Sequence, residues 1–280
     1  MDTTTVRQKT ATDEWGAADL DLDAYLHRIG QSRAEPSVAS LTALHEAHVR
    51  TIPFENIDPL LGRSPELELA AISAKLVQRD RGGYCYEHGL LFAAALEQLG
   101  YQVTRLAARI APDKPGPKTH LNLLVRAEGI EHLADVGFGA GVLRPMPLRD
   151  GVVVDQAGWQ HRLTRDGRLW RLEKLGTEGW SALHAFDETP QHHIDYEVFN
   201  HYVATHPRSP FTGQLVVMRL EYGVSRKLVG DRLTIEHADG RTEESSVPPE
   251  RLDATLRDLD IVLAPTELDA VIQLYHRTTP

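Results

Sequence analysis

The hydrophobic pattern of this 280-residue chain changes its period at Gly100, and this change constrains the fold more than any other feature. Before Gly100, apolar residues recur every three or four positions, which is the spacing of amphipathic helices. Helices are predicted there at residues 22–29, 38–52, 67–79 and 86–99. Beyond Gly100, short apolar segments separated by turn signals such as Asp166-Gly167 are typical of β-strands. The sequence therefore predicts a helical unit followed by a region rich in strands.

The strand-rich region favours an antiparallel barrel or a sandwich over a parallel sheet with crossover helices. Its predicted strands lie at residues 101–110, 121–126, 130–136, 214–222 and 232–237, with a hairpin over 163–172. Helices are predicted to return at residues 194–204, 249–259 and 267–276, the last of them capped by Thr266. Residues 1–18 are polar and predict a disordered or loosely attached tail. The predicted fold class is therefore α+β.

Charge and cysteine content argue against several classes of protein. The net charge of −10 disfavours general nucleic-acid binding, which needs a basic surface. No apolar run approaches the roughly 20 residues of a membrane helix, and the N-terminus lacks the apolar segment of a signal peptide. Cys85 is the only cysteine, so no internal disulfide can form and a structural zinc site is disfavoured. We expect a cytoplasmic protein without nucleic-acid or membrane partners.

Cys85 lies in the segment Arg81-Gly82-Gly83-Tyr84-Cys85-Tyr86-Glu87, between two glycines and a run of helix-forming apolar residues. This arrangement predicts a loop that leads into a buried helix, with the cysteine in the first turn. There, free N–H groups and the helix dipole stabilise a thiolate. Taken alone, however, the pattern fits core packing better, which is a frequent location of a free cysteine.

A histidine and an aspartate downstream supply what a nucleophilic thiol needs, which is a base and a group that orients the base. His120 precedes the apolar strand at 121–125, and Asp135 ends the next strand. Because the turn between the strands is short, antiparallel pairing can bring the two side chains together. A carboxylate among apolar residues also needs a partner. We therefore predict Cys85 as nucleophile, His120 as base and Asp135 as the orienting carboxylate.

With these residues in place, the chain resembles the arylamine N-acetyltransferases between about residues 20 and 211. The blocks that carry the resemblance are Tyr25-Leu26-His27-Arg28-Ile29-Gly30, Ile52-Pro53-Phe54-Glu55-Asn56, residues 81–87, Thr119-His120, Asp135-Val136-Gly137-Phe138-Gly139, Asn200-His201-Tyr202 and His206-Pro207-Arg208-Ser209-Pro210-Phe211. The catalytic cysteine, histidine and aspartate of that family fall on Cys85, His120 and Asp135. The resemblance implies an N-terminal helical bundle over 1–98, a central antiparallel β-barrel over 99–212 and a C-terminal α/β lid over 213–280, with a cysteine-protease-like core.

The resemblance also implies an activity, which is transfer of an acetyl group from acetyl-CoA to an arylamine, arylhydroxylamine or hydrazine. The acetyl group would pass through a thioester on Cys85, so that coenzyme A leaves before the amine reacts. Phe138 and Gly139 are expected to wall the acceptor pocket, and Phe211 is a weaker candidate for the same wall. The expected partners are a small-molecule amine and coenzyme A, with no metal. No residues are assigned to coenzyme A from the sequence.

Other functions fit the same three residues. An amide synthase of the same superfamily would take a polyketide chain from a carrier protein and close a macrolactam. A thiol hydrolase, or a relative that uses the cleft only for binding, is the third alternative. The volume of the pocket beside Cys85, and acetylation of the protein by acetyl-CoA, would distinguish them.

Two local features near the cysteine carry expectations of their own. Many relatives have Asn where this chain has Gly89, and a glycine inside a helix costs roughly 0.5–1 kcal/mol relative to alanine. The geometry around the site is therefore expected to differ locally from theirs. Arg81 and Glu87 are expected to pair across the turn that carries Cys85.

Overall fold

The computed structural model of the chain describes residues 14–79 and 81–278. In the N-terminal part the elements are α1 (Leu22–Arg28), α2 (Val38–Thr51), β1 (Phe54–Glu55), α3 (Ile57–Leu60), α4 (Leu69–Leu76) and α5 (Cys85–Gln98). Helix α5 lies at the centre, because every residue from Cys85 to Leu96 is buried. Such burial is expected of a helix that is apolar around its circumference. The predicted helical unit is confirmed.

Local sequence explains where α2 begins. The Ser37 hydroxyl accepts a hydrogen bond from the Ser40 N–H at 3.1 Å, and the Ser40 hydroxyl accepts one from the Ser37 N–H at 3.1 Å. This reciprocal pair satisfies donors that the start of a helix otherwise leaves free. The helix ends shortly before Pro53, a residue that cannot continue it. The start and stop signals in the sequence are thus used as predicted.

The middle of the chain forms a single antiparallel sheet. Its strands are β2 (Gln102–Ile110), β3 (His120–Ala127), β4 (Ile130–Ala134), β5 (Met146–Pro147), β6 (Val153–Gln156), β7 (Trp159–Asp166), β8 (Leu169–Gly176) and β9 (Gly179–Phe186). Their order is β5-β4-β3-β2-β9-β8-β7-β6. Side chains from opposite ends of the sheet, Met146 and Val154, pack into one interior core with Leu124 and Leu172. The sheet is therefore a nearly closed barrel rather than a sandwich.

The register of two hairpins follows the sequence signals. Strands β7 and β8 pair Leu163 with Leu172 around the Asp166-Gly167 turn, as predicted. Strands β3 and β4 pair Leu123 with Ala134. This second hairpin brings the segment after β4 alongside the first residues of β3, where the predicted histidine lies.

The rest of the chain contributes α6 (His193–Thr205), β10 (Val216–Glu221), β11 (Val224–Val229), β12 (Arg232–His237), β13 (Thr242–Ser246), α7 (Leu252–Asp258) and α8 (Pro265–Thr278). Strands β10 to β13 form a second antiparallel sheet, and β1 joins its edge by pairing Phe54 with Met218. The predicted boundaries after residues 98 and 212 fall between α5 and β2 and between α6 and β10. None of the helices within 14–79 and 81–278 has the length and apolar character needed to span a membrane.

Some predicted elements differ from those observed. Helix α8 begins at Pro265, so Thr266 is not its cap. Proline suits the first turn of a helix, because a backbone N–H at that position would have no partner within the helix and its absence costs no hydrogen bond. The helix predicted over 67–79 is limited to α4. Strands β1, β5, β6, β9, β11 and β13 were not predicted, and β13 is exposed along its whole length. An exposed strand carries no alternation of apolar and polar residues to reveal it.

The predicted tail is wrong for its last residues. The Trp15 ring lies 4.2 Å from the Arg105 guanidinium and packs against the rings of His193 and Tyr196. Ala17–Asp19 form a short 3-10 helix. The Trp15 ring therefore holds this segment against the barrel and α6, and the Gln98 side chain of α5 donates to the Ala17 and Leu20 carbonyls at 2.8 Å. Residues 1–13 lie outside the described part of the chain.

Candidate active site

Cys85 is the first residue of α5 and is only 4% exposed. Its backbone touches the segment after β4, because a Cβ atom at Gly137 would lie 2.7 Å from the Cys85 Cα atom and 2.9 Å from its carbonyl oxygen. Any side chain at position 137 would push the two segments apart. The Cys85 sulfur also lies 3.9 Å from the Thr119 carbonyl oxygen. Three separate segments of the chain thus meet at this cysteine.

Arg81 fixes the loop that precedes the cysteine. Its guanidinium donates to the Glu55 carboxylate at 2.8 Å and contacts Glu267 of α8 at 2.8 Å. Burial opposes the charge on Arg81, but the two carboxylates outweigh it and raise its pKa. The expected pairing of Arg81 with Glu87 is therefore wrong, because both side chains have other partners.

Glu87 stabilises the first turn of α5. Its carboxylate accepts the Tyr84 N–H at 3.1 Å and the Lys75 ammonium at 2.8 Å. The first bond satisfies a backbone donor at the start of the helix. The second pairs the buried carboxylate with a cation, which in turn lies 2.5 Å from Asp58. The helix that carries Cys85 therefore starts from a network of buried charges.

His120 and Asp135 contact each other directly. The His120 Nε2 atom lies 2.9 and 2.8 Å from the two carboxylate oxygens of Asp135, and both side chains are buried. Because an ionised carboxylate only accepts, Nε2 carries a proton, and Nδ1 is the ring nitrogen left for Cys85. Cys85 and His120 line the same pocket, and the thiol is close enough to His120 to raise the pKa of the ring. The structure thus brings together the three residues that the sequence singled out.

The charges of this pair stabilise each other against the cost of burial. Burial opposes a charge on His120, but the Asp135 carboxylate and the contact with Cys85 raise the pKa of His120 to about 10. Burial also opposes ionisation of Asp135, but His120, helped by His184, lowers the pKa of Asp135 to about 2. At neutral pH the site therefore holds an imidazolium beside a carboxylate.

His184 is a second histidine on the same carboxylate, and sequence reasoning missed it. It lies on β9, is fully buried, and places Nε2 3.0 Å from the Asp135 Oδ2 atom. Burial lowers the pKa of His184 although Asp135 opposes this, so the ring donates in its neutral form. One donor atom from each of His120, Asp135 and His184 lies within 4.8 Å of the others, which is close enough to hold a metal ion. In this structure both rings bond directly to the carboxylate instead.

His45 of α2 supports the backbone of the same residue. Its Nε2 accepts the Asp135 N–H at 3.0 Å, and its Nδ1–H donates to the Leu143 carbonyl at 2.8 Å. Burial lowers the pKa of His45 to about 4, so the ring is neutral with its proton on Nδ1. The position of His45 on the apolar face of α2 signals burial in the sequence, but nothing local identifies its partner.

A chain of buried hydrogen bonds runs from α1 to the loop before the cysteine. The Tyr25 hydroxyl donates to His48 Nδ1 at 2.8 Å, and His48 Nε2 donates to His88 Nδ1 at 2.8 Å. His88 Nε2 then donates to the Gly83 carbonyl at 3.1 Å. The carbonyl can only accept, and this fixes the direction of every bond in the chain. Burial lowers the pKa of both histidines, that of His88 to about 4, so both rings are neutral.

A cavity of about 510 Å³ opens beside the sulfur of Cys85. Phe138 and Phe211, which the sequence predicted as walls of an acceptor pocket, both line this cavity. Gly139 is not among the described residues that line the cavity. A Cβ atom at Gly139 would instead lie 2.7 Å from the Met218 sulfur, so this glycine permits close packing against β10. The cavity is mostly apolar, and its polar lining residues include Cys85, Thr119 and His120.

Gly89 has a packing role in this chain. It lies in α5, where a Cβ atom would come within 2.1 Å of the Leu121 Cδ2 atom on β3. Leu121 directly follows His120, so this contact sets how closely the helix that carries Cys85 approaches the strand that carries His120. The departure from many relatives at this position is therefore compatible with a closely packed site.

Comparisons with known proteins agree with one another. A family model described as N-acetyltransferase matches residues 37–264. The chain is 40% identical over 254 residues to an arylamine N-acetyltransferase of Mycolicibacterium smegmatis, covering 87% of this chain and 90% of the relative. Its structure is similar to that of Nocardia farcinica arylamine N-acetyltransferase, with a TM-score of 0.87, 41% identity, and coverage of 92% of this chain and 95% of that one. It is also similar to Mycobacterium marinum arylamine N-acetyltransferase in complex with CoA, with a TM-score of 0.84, 35% identity, and coverage of 90% and 98%. In sequence and in fold, the chain belongs to the arylamine N-acetyltransferase family.

Proposed function

We propose that the protein transfers the acetyl group of acetyl-CoA to arylamines, arylhydroxylamines or hydrazines through a thioester on Cys85. The observation that carries this proposal is the buried chain of Cys85, His120 and Asp135 beside an open pocket. Similarity to enzymes named for arylamine acetylation supports the class of acceptor. The CoA complex of the Mycobacterium marinum relative supports the donor.

In the first half-reaction, Cys85 takes the acetyl group from the donor. His120 holds a proton at neutral pH, because its pKa is about 10, and it stabilises the Cys85 thiolate. The thiolate attacks the thioester carbonyl, and N–H groups at the start of α5 stabilise the oxyanion. The bond from the carbonyl carbon to the coenzyme A sulfur then breaks, and the proton of His120 passes to that sulfur. The products are coenzyme A and an acetylated Cys85.

In the second half-reaction, the amine attacks the carbonyl of the acetylated cysteine. The neutral His120 ring accepts a proton from the amine nitrogen as the new carbon–nitrogen bond forms. The carbon–sulfur bond breaks, which restores the Cys85 thiolate beside the His120 imidazolium. Asp135 keeps the ring in the required tautomer and balances its charge in both steps. Because coenzyme A leaves first, the kinetics are ping-pong.

The size of the pocket supports a small acceptor. A cavity of about 510 Å³ falls within the roughly 300–1,000 Å³ that is usual for small-molecule sites. Phe138 and Phe211 offer aromatic surfaces against which a flat amine can pack. A polyketide chain delivered by a carrier protein would need more room, so the pocket favours acetyl transfer to arylamines over macrolactam closure.

Intact-protein mass spectrometry tests the proposal. Incubation with acetyl-CoA should add one acetyl group, and a panel of small arylamines should then remove it with formation of the acetylated amine. The matched control is Cys85→Ser, which should not turn over, because no other cysteine is present. Release of acetate without an acetylated amine would indicate a thiol hydrolase. Failure of the unsubstituted protein to accept acetyl would indicate a binding protein.

A further inference from the structure

Three charged side chains line the pocket in addition to His120, and all three are basic. They are Lys174, Arg208 and Lys227. No aspartate or glutamate occurs among the described residues that line the pocket, although the whole chain has 40 acidic against 30 basic residues. A cleft lined by one sign of charge concentrates ligands of the opposite sign. The pocket therefore opposes the overall charge of the protein.

Two of these cations come from different sheets and meet at one carboxylate. Lys174 lies on β8 of the barrel and Lys227 on β11 of the second sheet. Glu236 of β12 lies 3.1 Å from the Lys227 ammonium and 4.0 Å from that of Lys174. The two lysine side chains are 27% and 30% exposed. One carboxylate shared by two cations leaves a positive charge at this side of the pocket.

The lowered pKa of Lys174 indicates that neighbouring groups do not fully compensate its positive charge. Burial lowers the pKa of Lys174, and the neighbouring Lys227 lowers it further, although Glu236 opposes both effects. An anion placed between the two ammonium groups would offset their repulsion. Arg208, from the loop after α6, is exposed and adds a third cation to the lining of the pocket.

The position of Lys174 relates this charge to the reacting atoms. Leu172 of β8 pairs with His184, the residue that bonds to Asp135. Lys174 lies two residues beyond Leu172 on β8, which is about 7 Å from Leu172 at about 3.3 Å per residue. A substrate that reacts at Cys85 can therefore extend a charged group towards the lysines while it remains in the same pocket.

We propose that Lys174, Lys227 and Arg208 form an anion-binding subsite in this pocket, which takes a carboxylate or phosphate group of a substrate that reacts at Cys85. The identity of the substrate, but not the subsite itself, rests on the function proposed above. The anion has two chemical sources, which are a carboxylate on the aromatic amine and the phosphates of coenzyme A. Lysine ammonium groups bind either as point charges, and arginine adds planar donors.

Alkylation of the single thiol tests the subsite without any acetyl transfer. Iodoacetate and iodoacetamide both alkylate Cys85 and differ mainly in charge. The rate with iodoacetate divided by the rate with iodoacetamide should fall about threefold to tenfold in Lys174→Met and in Lys227→Met. The reason is that a hydrogen bond to a charged group is stronger than one to a neutral group. Lys227→Arg should retain the ratio of the unsubstituted protein. The control is Lys114→Met, an exposed lysine on the loop between β2 and β3 that does not line the pocket.

Steady-state assays with matched substrates then identify the source of the anion. The acceptor pair is 4-aminobenzoate and 4-aminobenzamide, with p-nitrophenyl acetate as a donor that has no phosphate. The donor pair is acetyl-CoA and p-nitrophenyl acetate, with aniline as a neutral acceptor. If the lysine variants lower kcat/KM selectively for 4-aminobenzoate, the carboxylate occupies the subsite; if selectively for acetyl-CoA, the phosphates do.

The outcomes separate the two proposals. An alkylation ratio that is unchanged in both lysine variants, or that changes equally in Lys114→Met, overturns the subsite. A lowered ratio in a protein that acetylates no amine keeps the subsite and overturns the proposed function. Loss of selectivity for an anionic substrate together with a lowered ratio supports both.

Discussion

Asp135 is the residue on which the polar groups of the site converge. Its carboxylate accepts from His120 and His184, and its backbone N–H donates to His45. Two strands therefore hold the carboxylate of this residue, and a helix holds its backbone. Only His120 among these three histidines carries a charge at neutral pH, because burial keeps the pKa of the other two low. The site thus places its one imidazolium beside the thiol.

Replacing Asp135 by Asn should leave the fold intact and lower turnover by about 10⁴-fold, the loss expected when a triad carboxylate becomes an amide. The amide fills the same space but removes the charge that raises the pKa of His120, and it favours the wrong tautomer. Turnover and the unfolding midpoint should be measured on one preparation. Asp187→Asn is a matched control, because it makes the same substitution in a carboxylate that pairs with Lys118, at 2.7 Å, and not with His120. Turnover near the control value would remove Asp135 from the mechanism.

Phe138→Ala should lower kcat/KM for arylamines by about 2- to 12-fold while acetylation of Cys85 by acetyl-CoA stays near its original rate. Offset stacking with an aromatic ring contributes about 0.5–1.5 kcal/mol beyond burial, and only the second half-reaction uses it. Rapid quenching with mass spectrometry follows the first half-reaction, and a steady-state assay follows the amine. The Phe138 ring also packs edge-on against His120, with centroids 5.3 Å apart. Equal losses in both half-reactions would mean that Phe138 supports His120 rather than the acceptor.

At the scale of elements, α5 and β3 depend on Gly89 for their close approach. Gly89→Ala should gain about 0.5–1 kcal/mol of helix propensity but lose about 1–3 kcal/mol to overpacking against Leu121, for a net loss of stability. Urea unfolding measures the free energy. Leu121→Val, combined with Gly89→Ala, should recover part of the loss, because the smaller side chain makes room. Additive effects of the two substitutions would show that the contact is not strained.

How far apart two secondary-structure elements lie in the sequence determines whether their contact in the site could be predicted. The pairing of His120 with Asp135 was predictable because a short hairpin joins their strands, so local chain geometry determines which side chains meet. His184 was not predictable in the same way. It reaches Asp135 only because β9 pairs with β2, the neighbour of β3, although the two strands are far apart in the sequence, and no local pattern specifies that pairing. Arg81 was likewise assigned the wrong partner, since Glu267 lies on α8, far along the chain.

The molecule as a whole should be sensitive to acid because it buries neutral histidines. Burial lowers the pKa of His45, His88 and His161 to about 4, whereas histidines of an unfolded chain titrate near about 6.5. Below pH 6.5 the unfolded chain therefore takes up protons first. The contribution of these three histidines to stability is full above about pH 6.5 and is lost as the pH falls from there to about 4, by about 1.4 kcal/mol per pH unit for each histidine.

Urea unfolding at several pH values between 5 and 7 measures this slope. His161→Gln should reduce it by about 1.4 kcal/mol per pH unit, since one proton fewer is taken up on unfolding. His192→Gln is the control, because the His192 side chain is 73% exposed, and it should leave the slope unchanged. A slope that is the same in both variants and in the unsubstituted protein would contradict the account.

The ion pair between Arg81 and Glu267 also orders events during synthesis of the chain. At about 5–20 residues per second, the ribosome needs about 10–40 s to add the roughly 190 residues between them. During that interval the loop before Cys85 lacks one of the two carboxylates that hold Arg81, and for most of it β1 also lacks its partner β10, which ends at Glu221. A nascent chain therefore carries its thiol on an incomplete scaffold. The loop before Cys85 gains its contact with Glu267 only after α8 has left the ribosome, so translation products truncated before Glu267 should carry Cys85 beside a loop that lacks this ion pair.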